Sequence, residues 1–328
     1  MACSARSGQL EANEDGITTI RITSTQSFNT APAALLVHGD FAERYGLDFE
    51  QVNIAGSGSS NQVAAILSGD ADIAGSNAFV DSAIGGADLQ MFAGLSDIIQ
   101  SLVVSNNAIE RFGVDVDADP RDRVQALCGM KIGAGPTGSA GNSALRVVLN
   151  DAGLDPDRDV TLVPLADTNS AVAAGLEQGS FDATWATIGS GEVAVARGTA
   201  TTVISVPAGE APALEGYVCN VAFAPTRFIE QNPELVDRIR EALAEATRMT
   251  KEEPEKAGQF LKNSVYSGMD QTVFDLAWSE AVKGYNEGNL FTREDWNSFV
   301  GIFDESSEHD YSAVDYEKII NPVARGQS

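Results

Sequence analysis

Histidine and cysteine are scarce in this chain of 328 residues, which holds two His and three Cys. A serine hydrolase needs a base positioned beside its nucleophile. His38 sits on a helical stretch beside Gly39 and Asp40, and His309 lies in an acidic tail, so neither offers one. The stretch GSGSS (56–60) resembles part of a G-x-S-x-G nucleophile elbow but ends on Ser60. With no C-x-x-C pair and no neighbouring His, the cysteines make a poor zinc site, and no metal is expected. Positive charge is also short: 21 Lys and Arg stand against 47 Asp and Glu, a net charge of −26. That argues against nucleic-acid binding, which rests on Lys and Arg neutralising phosphates. No apolar run approaches the ~20 residues that span a bilayer. GAGPTGSAG (133–141) lacks the Gly-Lys-Ser/Thr of a phosphate loop. Its Gly133-x-Gly135-x-x-Gly138 spacing matches a dinucleotide fingerprint, but no acidic residue ends the next strand, so a generic small-ligand loop is the stronger reading. No cofactor is expected.

What is present is an ordinary globular composition, 43% hydrophobic and 21% charged, in a chain long enough for two lobes. It also repeats itself. NQVAAILSGDADIAGSN (61–77) and NSAVAAGLEQGSFDATW (169–185) share Val-Ala-Ala, a Leu, a Gly and an Asp, with Asp72 and Asp182 separated by 182 − 72 = 110 positions. The surrounding elements repeat as well. ITTIRIT (17–23) alternates as a strand, a helix ends on Gly46, LDFEQVNIA is a strand, and QVAAILSG is a helix leading to the strand ADIAGSN. MKIGAG (130–135), SALRVVLNDAG, DVTLVPL, NSAVAAGLEQG and FDATWAT follow the same order. Two βαβαβ lobes of one design are therefore expected, each with parallel strands whose carboxyl ends carry Ser/Thr/Gly/Asn loops facing a cleft.

IIQSLVVSNNAI (98–109) reads as a continuation of the first lobe, with the acidic connector GVDVDADPRDR (113–123) as the first crossing and AGEAPALEG (208–216) as the second. Thereafter the chain turns helical, with Asn232 as a cap and Pro233 opening a long helix. Three further helical pieces, near 255–265, 270–287 and 292–303, are expected to pack on the first lobe. The reading divides the chain into a polar, flexible N-terminal tether (1–16), lobe 1 (17–110 plus 218–328) and lobe 2 (111–217). Of the aromatics beside strand ends or crossings, Phe28, Trp185 and Tyr217, Trp185 is the best cleft candidate.

With this layout, the sequence resembles the solute-binding proteins of ABC importers, in the nitrate/sulfonate/taurine-type group with its thiamine-pyrimidine-precursor relatives. Gly39/Phe41, Gly46/Leu47, Gly56–Ser60 and Gly69–Asp72 carry the resemblance, as does LCGMKIGAGPTGSAGNSALRVVLNDAGLDPDRDVTLVPL. It implies a bilobal α/β venus-flytrap fold of the periplasmic-binding-protein type, with two crossovers and C-terminal helices. It also implies a monomer that holds a small-molecule ligand between its lobes and delivers it to a membrane permease, outside the cytoplasm and without catalysis. The loops that would supply contacts correspond to 24–30, 57–60, 75–79, 137–142 and 185–190. The candidate ligand-binding residues are Thr25, Gln26, Phe28, Asn29, Ser57, Ser59, Ser60, Asn77, Thr137, Ser139, Asn142, Trp185 and Thr187. These loops contain no Arg or Lys. Helix starts with free N–H groups would then hold a carboxylate or sulfonate, with Phe28 and Trp185 covering an apolar body. The runner-up ligand is a neutral or cationic heterocycle. The rival function is a precursor-converting enzyme of pyrimidine type on the same scaffold, although the Cys-rich motif of those enzymes is missing. Cys3 follows a small residue, as a lipidated lipoprotein cysteine does. Cys128 and Cys219 would be bonded to each other in an extracytoplasmic protein, with two buried thiols as the alternative.

Overall fold

A computed structural model describes residues 9–24, 27–54, 59–137, 139–165, 169–303 and 311–327. The first lobe begins with β1 (Thr18–Ser24), α1 (Ala31–His38), β2 (Leu47–Gln51), α2 (Ser59–Ser68), β3 (Ile73–Ser76), α3 (Phe79–Ile84) and β4 (Leu89–Asp97). Next come β5 (Gln100–Ser105), α4 (Asn106–Phe112), α5 (Pro120–Gln125), β6 (Lys131–Ala134), α6 (Ala140–Asp151), β7 (Thr161–Pro164), α7 (Asn169–Glu177), β8 (Ala183–Thr187), α8 (Glu192–Ala196) and β9 (Ala200–Ser205). The chain closes with β10 (Val218–Pro225), α9 (Thr226–Gln231), α10 (Pro233–Glu252), α11 (Pro254–Ser264), α12 (Gln271–Ala281), α13 (Arg293–Phe303) and α14 (Tyr316–Ile319).

The strands form two five-stranded sheets, ordered β2-β1-β3-β10-β4 and β7-β6-β8-β5-β9. In each, three parallel strands joined through helices are followed by an antiparallel strand. The antiparallel member is in both cases the strand that has just crossed from the other lobe: β5 enters the second sheet and β10 enters the first. The internal repeat is thus a repeat of topology.

The repeated motif has a mechanical reason. The helices α2 and α7 end on Gly69 and Gly179, whose φ values of 78° and 70° are left-handed. A residue without Cβ adopts that conformation at no steric cost. The chain then turns directly into a buried strand through the paired aspartates. Asp72 accepts the Arg21 backbone N–H at 2.8 Å and pairs with the Arg21 guanidinium at 2.6 Å. Asp182 accepts the Lys131 backbone N–H at 2.9 Å and pairs with Arg111. Both aspartates reach back 51 positions to clip the neighbouring parallel strand.

Three expectations need correction. The first crossing is the two-residue link Ile98–Ile99 between β4 and β5, not 113–123, so lobe 2 starts near residue 100. Both link residues are buried, which is why no Gly or Pro marks the switch. The C-terminal helices do not pack on the first lobe alone: α10 and α11 lie on α1, whereas α12 also meets α8, and α13 meets both α6 and β10. Finally, Asn232 stands at the N-cap position of α10, but its side chain makes no cap hydrogen bond. Its side chain accepts the Leu10 N–H at 2.8 Å and donates to the Phe228 carbonyl at 2.9 Å, tying the N-terminal segment to the first lobe.

Candidate functional site: the interlobe cleft

Because parallel strands end on one side of each sheet, loops from both lobes open on a shared cavity of about 930 Å³. Lobe 1 contributes Phe28, Asn29, Gln62, Asn77 and Asp81 to the wall, and lobe 2 contributes Ser139, Gly141, Trp185, Thr187 and Gly189. Gln100 stands at the first crossing, Cys219 and Asn220 follow the second, and Tyr266 reaches in from the C-terminal helical region.

Buried polar atoms without protein partners gather here. They include the side-chain oxygens of Asn29, Gln62 and Gln100, the Trp185 Nε1–H and the Tyr266 hydroxyl, and all five residues line the cavity. Trp185 is 1% exposed, Gln62 5% and Tyr266 7%. Leaving such a group unpaired costs about 1–3 kcal/mol, so their convergence on one cavity is the signature of a site that a solute completes.

The wall is held by a second layer of contacts. Asn220 donates through Nδ2 to Ser96 Oγ at 3.0 Å, and the Ser96 hydroxyl donates to the Asn29 carbonyl at 2.8 Å, which fixes the backbone from which Asn29 projects. Phe28 stacks on Tyr266 with centroids 4.6 Å apart. It also abuts Gly189 of the other lobe, where an added Cβ would lie 2.9 Å from the ring. Gly189 has φ of 102°, and its N–H is accepted by the buried Glu192 carboxylate at 2.6 Å. Strand register explains Gln100: it sits opposite Thr187, with Leu102 opposite Trp185, so these side chains share one face of the second sheet.

Phe28, Asn29, Asn77, Ser139, Trp185 and Thr187 of the sequence-derived candidates lie in the cavity wall. Thr137 is exposed and is not part of the wall. Asn142 serves the fold: its Nδ2 donates to the Gly135 carbonyl at 3.0 Å and its Oδ1 accepts from Arg146 at 3.1 Å. Ser139 caps α6 by accepting the Asn142 N–H at 3.3 Å. Thr25, Gln26, Ser57 and Cys3 lie outside the described residues, as do the side chains of Ser59 and Ser60. Gln62, Gln100 and Tyr266 escape the sequence reading.

The expected Cys128–Cys219 bond is not formed, and both thiols are free. Cys128 is exposed in the turn after α5 of the second lobe, whereas Cys219 lies on β10 of the first sheet, because the second crossing ends before it. Burial pushes the Cys219 thiol up to about 12, so it is protonated at neutral pH and a poor nucleophile. No group of three or more His, Cys, Asp or Glu able to hold a metal occurs among the described residues. No described helix is long and apolar enough to cross a membrane.

Two repeated α/β lobes with two crossings and a cavity between them define the periplasmic-binding-protein fold, and solved structures agree. A periplasmic sulfonate-binding protein from Methylobacillus flagellatus superposes with a TM-score of 0.69 at 18% identity, covering 94% of this chain and 92% of that one. The periplasmic aliphatic sulphonate binding protein of Escherichia coli gives 0.67 at 16%, covering 88% and 86%. The periplasmic nitrate-binding protein of Synechocystis PCC 6803 gives 0.58 at 16%, covering 80% and 69%. The chain belongs to the NMT1-like family, whose pattern it matches over residues 14–262. No curated protein sequence matches it.

Proposed function

We propose that this protein is an extracytoplasmic solute-binding receptor of an ABC importer, capturing a small organic compound between its lobes and passing it unchanged to a membrane permease. The observation that carries the reading is the shared cavity, where unpaired buried polar atoms of both lobes meet. Similarity to proteins named for periplasmic sulfonate and nitrate binding supports the same role. A receptor is favoured over a converting enzyme because the described wall offers no Lys or His base, and its one thiol is held protonated. Anchoring through a lipidated Cys3 and a monomeric state belong to the same proposal.

Mass spectrometry of small molecules released when the purified protein is denatured tests it. One compound per chain, recovered unchanged after long incubation with the folded protein, is the expected result. Conversion of that compound into a second species would overturn the receptor reading.

A further inference from the structure

The chemistry of the cleft carries an inference about its solute, and this inference rests on the receptor function proposed above. Cations are missing from the wall. Among the described lining residues there is no Lys, Arg or His, and Asp81 is the one charged side chain. The undescribed segments that adjoin lining residues in the chain, 25–26, 55–58 and 138, contain no Lys, Arg or His in the sequence.

Two more carboxyl groups stand directly behind the wall. Glu192, 3% exposed, accepts from the Gly189 N–H and from the Ser101 hydroxyl at 2.9 Å, and the charged group that bears on it is another acid, Glu280. Asp97 ends β4 next to the lining residue Ile98, faced by Asp295 and, from α10, by Lys251. Burial raises the carboxyls of both Glu192 and Asp97, so the charge an anion would meet in the wall is that of Asp81, with no described lining cation to offset it.

The unpaired atoms point the same way. Gln62 Oε1, in a side chain almost wholly buried, can accept from a donor, as can the side-chain oxygens of Asn29 and Gln100. Asp81 already accepts from the Tyr311 hydroxyl at 2.7 Å through one oxygen. A carboxylate has capacity for further donors. Trp185 Nε1–H can only donate and asks for one acceptor.

We propose that the solute is an uncharged or cationic nitrogenous organic compound, donating N–H groups to Asn29, Gln62, Gln100 and Asp81 and offering one acceptor to Trp185. This differs from the oxyanions for which the structural relatives are named.

Two probe sets of matched size test the assignment on the full chain by thermal shift and calorimetry. One consists of alkylamines, alkylguanidines and primary amides; the other of alkanesulfonates and alkanecarboxylates. The first set should bind and the second should not. Asp81→Asn should weaken the cationic probes about tenfold while leaving the amides nearly unchanged. Should Asp81→Asn fail to fold, the selectivity of the unaltered protein decides. Binding confined to the anionic set would overturn the assignment while leaving the receptor reading intact. Binding of neither set at millimolar concentration would likewise overturn the assignment, while the receptor reading stands or falls on the compound recovered from the protein.

Discussion

Asp72 and Asp182 show how much one side chain can do when it is placed at a strand entry. Each satisfies a backbone N–H of the adjacent strand and an arginine at once. The Asp72 side chain is only 4% exposed, so removing it strands both partners. Asp72→Ala should cost about 3 kcal/mol, measured by urea unfolding. Asp182→Ala should cost less, because Arg111 is 59% exposed and returns to water. At Asp97, burial first and Asp295 second raise the carboxyl to about 6, against the attraction of Lys251. The folded state therefore binds the proton more tightly than the unfolded chain. This cost is absent below about pH 3, grows as pH rises from the unfolded value of 3.8 through the folded value of about 6, and is complete at pH 7. Asp97→Asn should stabilise the protein at pH 7 by roughly 3 kcal/mol and do nothing at about pH 3. Thermal melts at both values would check this, and equal shifts would contradict it.

At the scale of elements, the repeat was readable because hydrophobic period, turn glycines and strand-entry aspartates recur in one order. On β1, Ile20 and Ile22 are buried between less buried Thr19 and Arg21, and on α10 Leu235, Ile239, Leu243 and Thr247 form one buried stripe. The first crossing was not readable, since Ile98 and Ile99 continue an apolar run without a turn signal. Gln62 and Gln100 were hidden for another reason: a lone polar residue on a helix or strand reads as facing water, and only the second lobe shows that it faces a cavity. Tyr266 depends on where the C-terminal helices dock, which no local pattern encodes. Among the loop hydroxyls, Ser139 has a structural duty in addition to its place in the wall. Ser139→Ala should lower stability by about 1 kcal/mol through loss of the α6 cap, as read by chemical denaturation.

Over the whole molecule, the cavity lies between two lobes that the chain joins by two crossings. Phe28 of lobe 1 rests on Gly189 of lobe 2, while α12 and α13 touch both lobes. A solute in the cleft must answer to both halves, and that is the central claim. Gln62 and Trp185 represent one lobe each; Gln62→Leu removes the amide with little change in shape, and Trp185→Phe removes the indole N–H together with one ring of a fully buried side chain. Calorimetric titration of both single variants with the compound recovered from the unaltered protein is the most direct test. Each substitution should weaken binding about tenfold or more; the melting temperature of the empty protein should be unchanged or slightly raised in Gln62→Leu, because an unpaired buried polar atom has been removed, and lowered in Trp185→Phe by the cavity left behind. Affinity unchanged in either variant would contradict a site shared between the lobes.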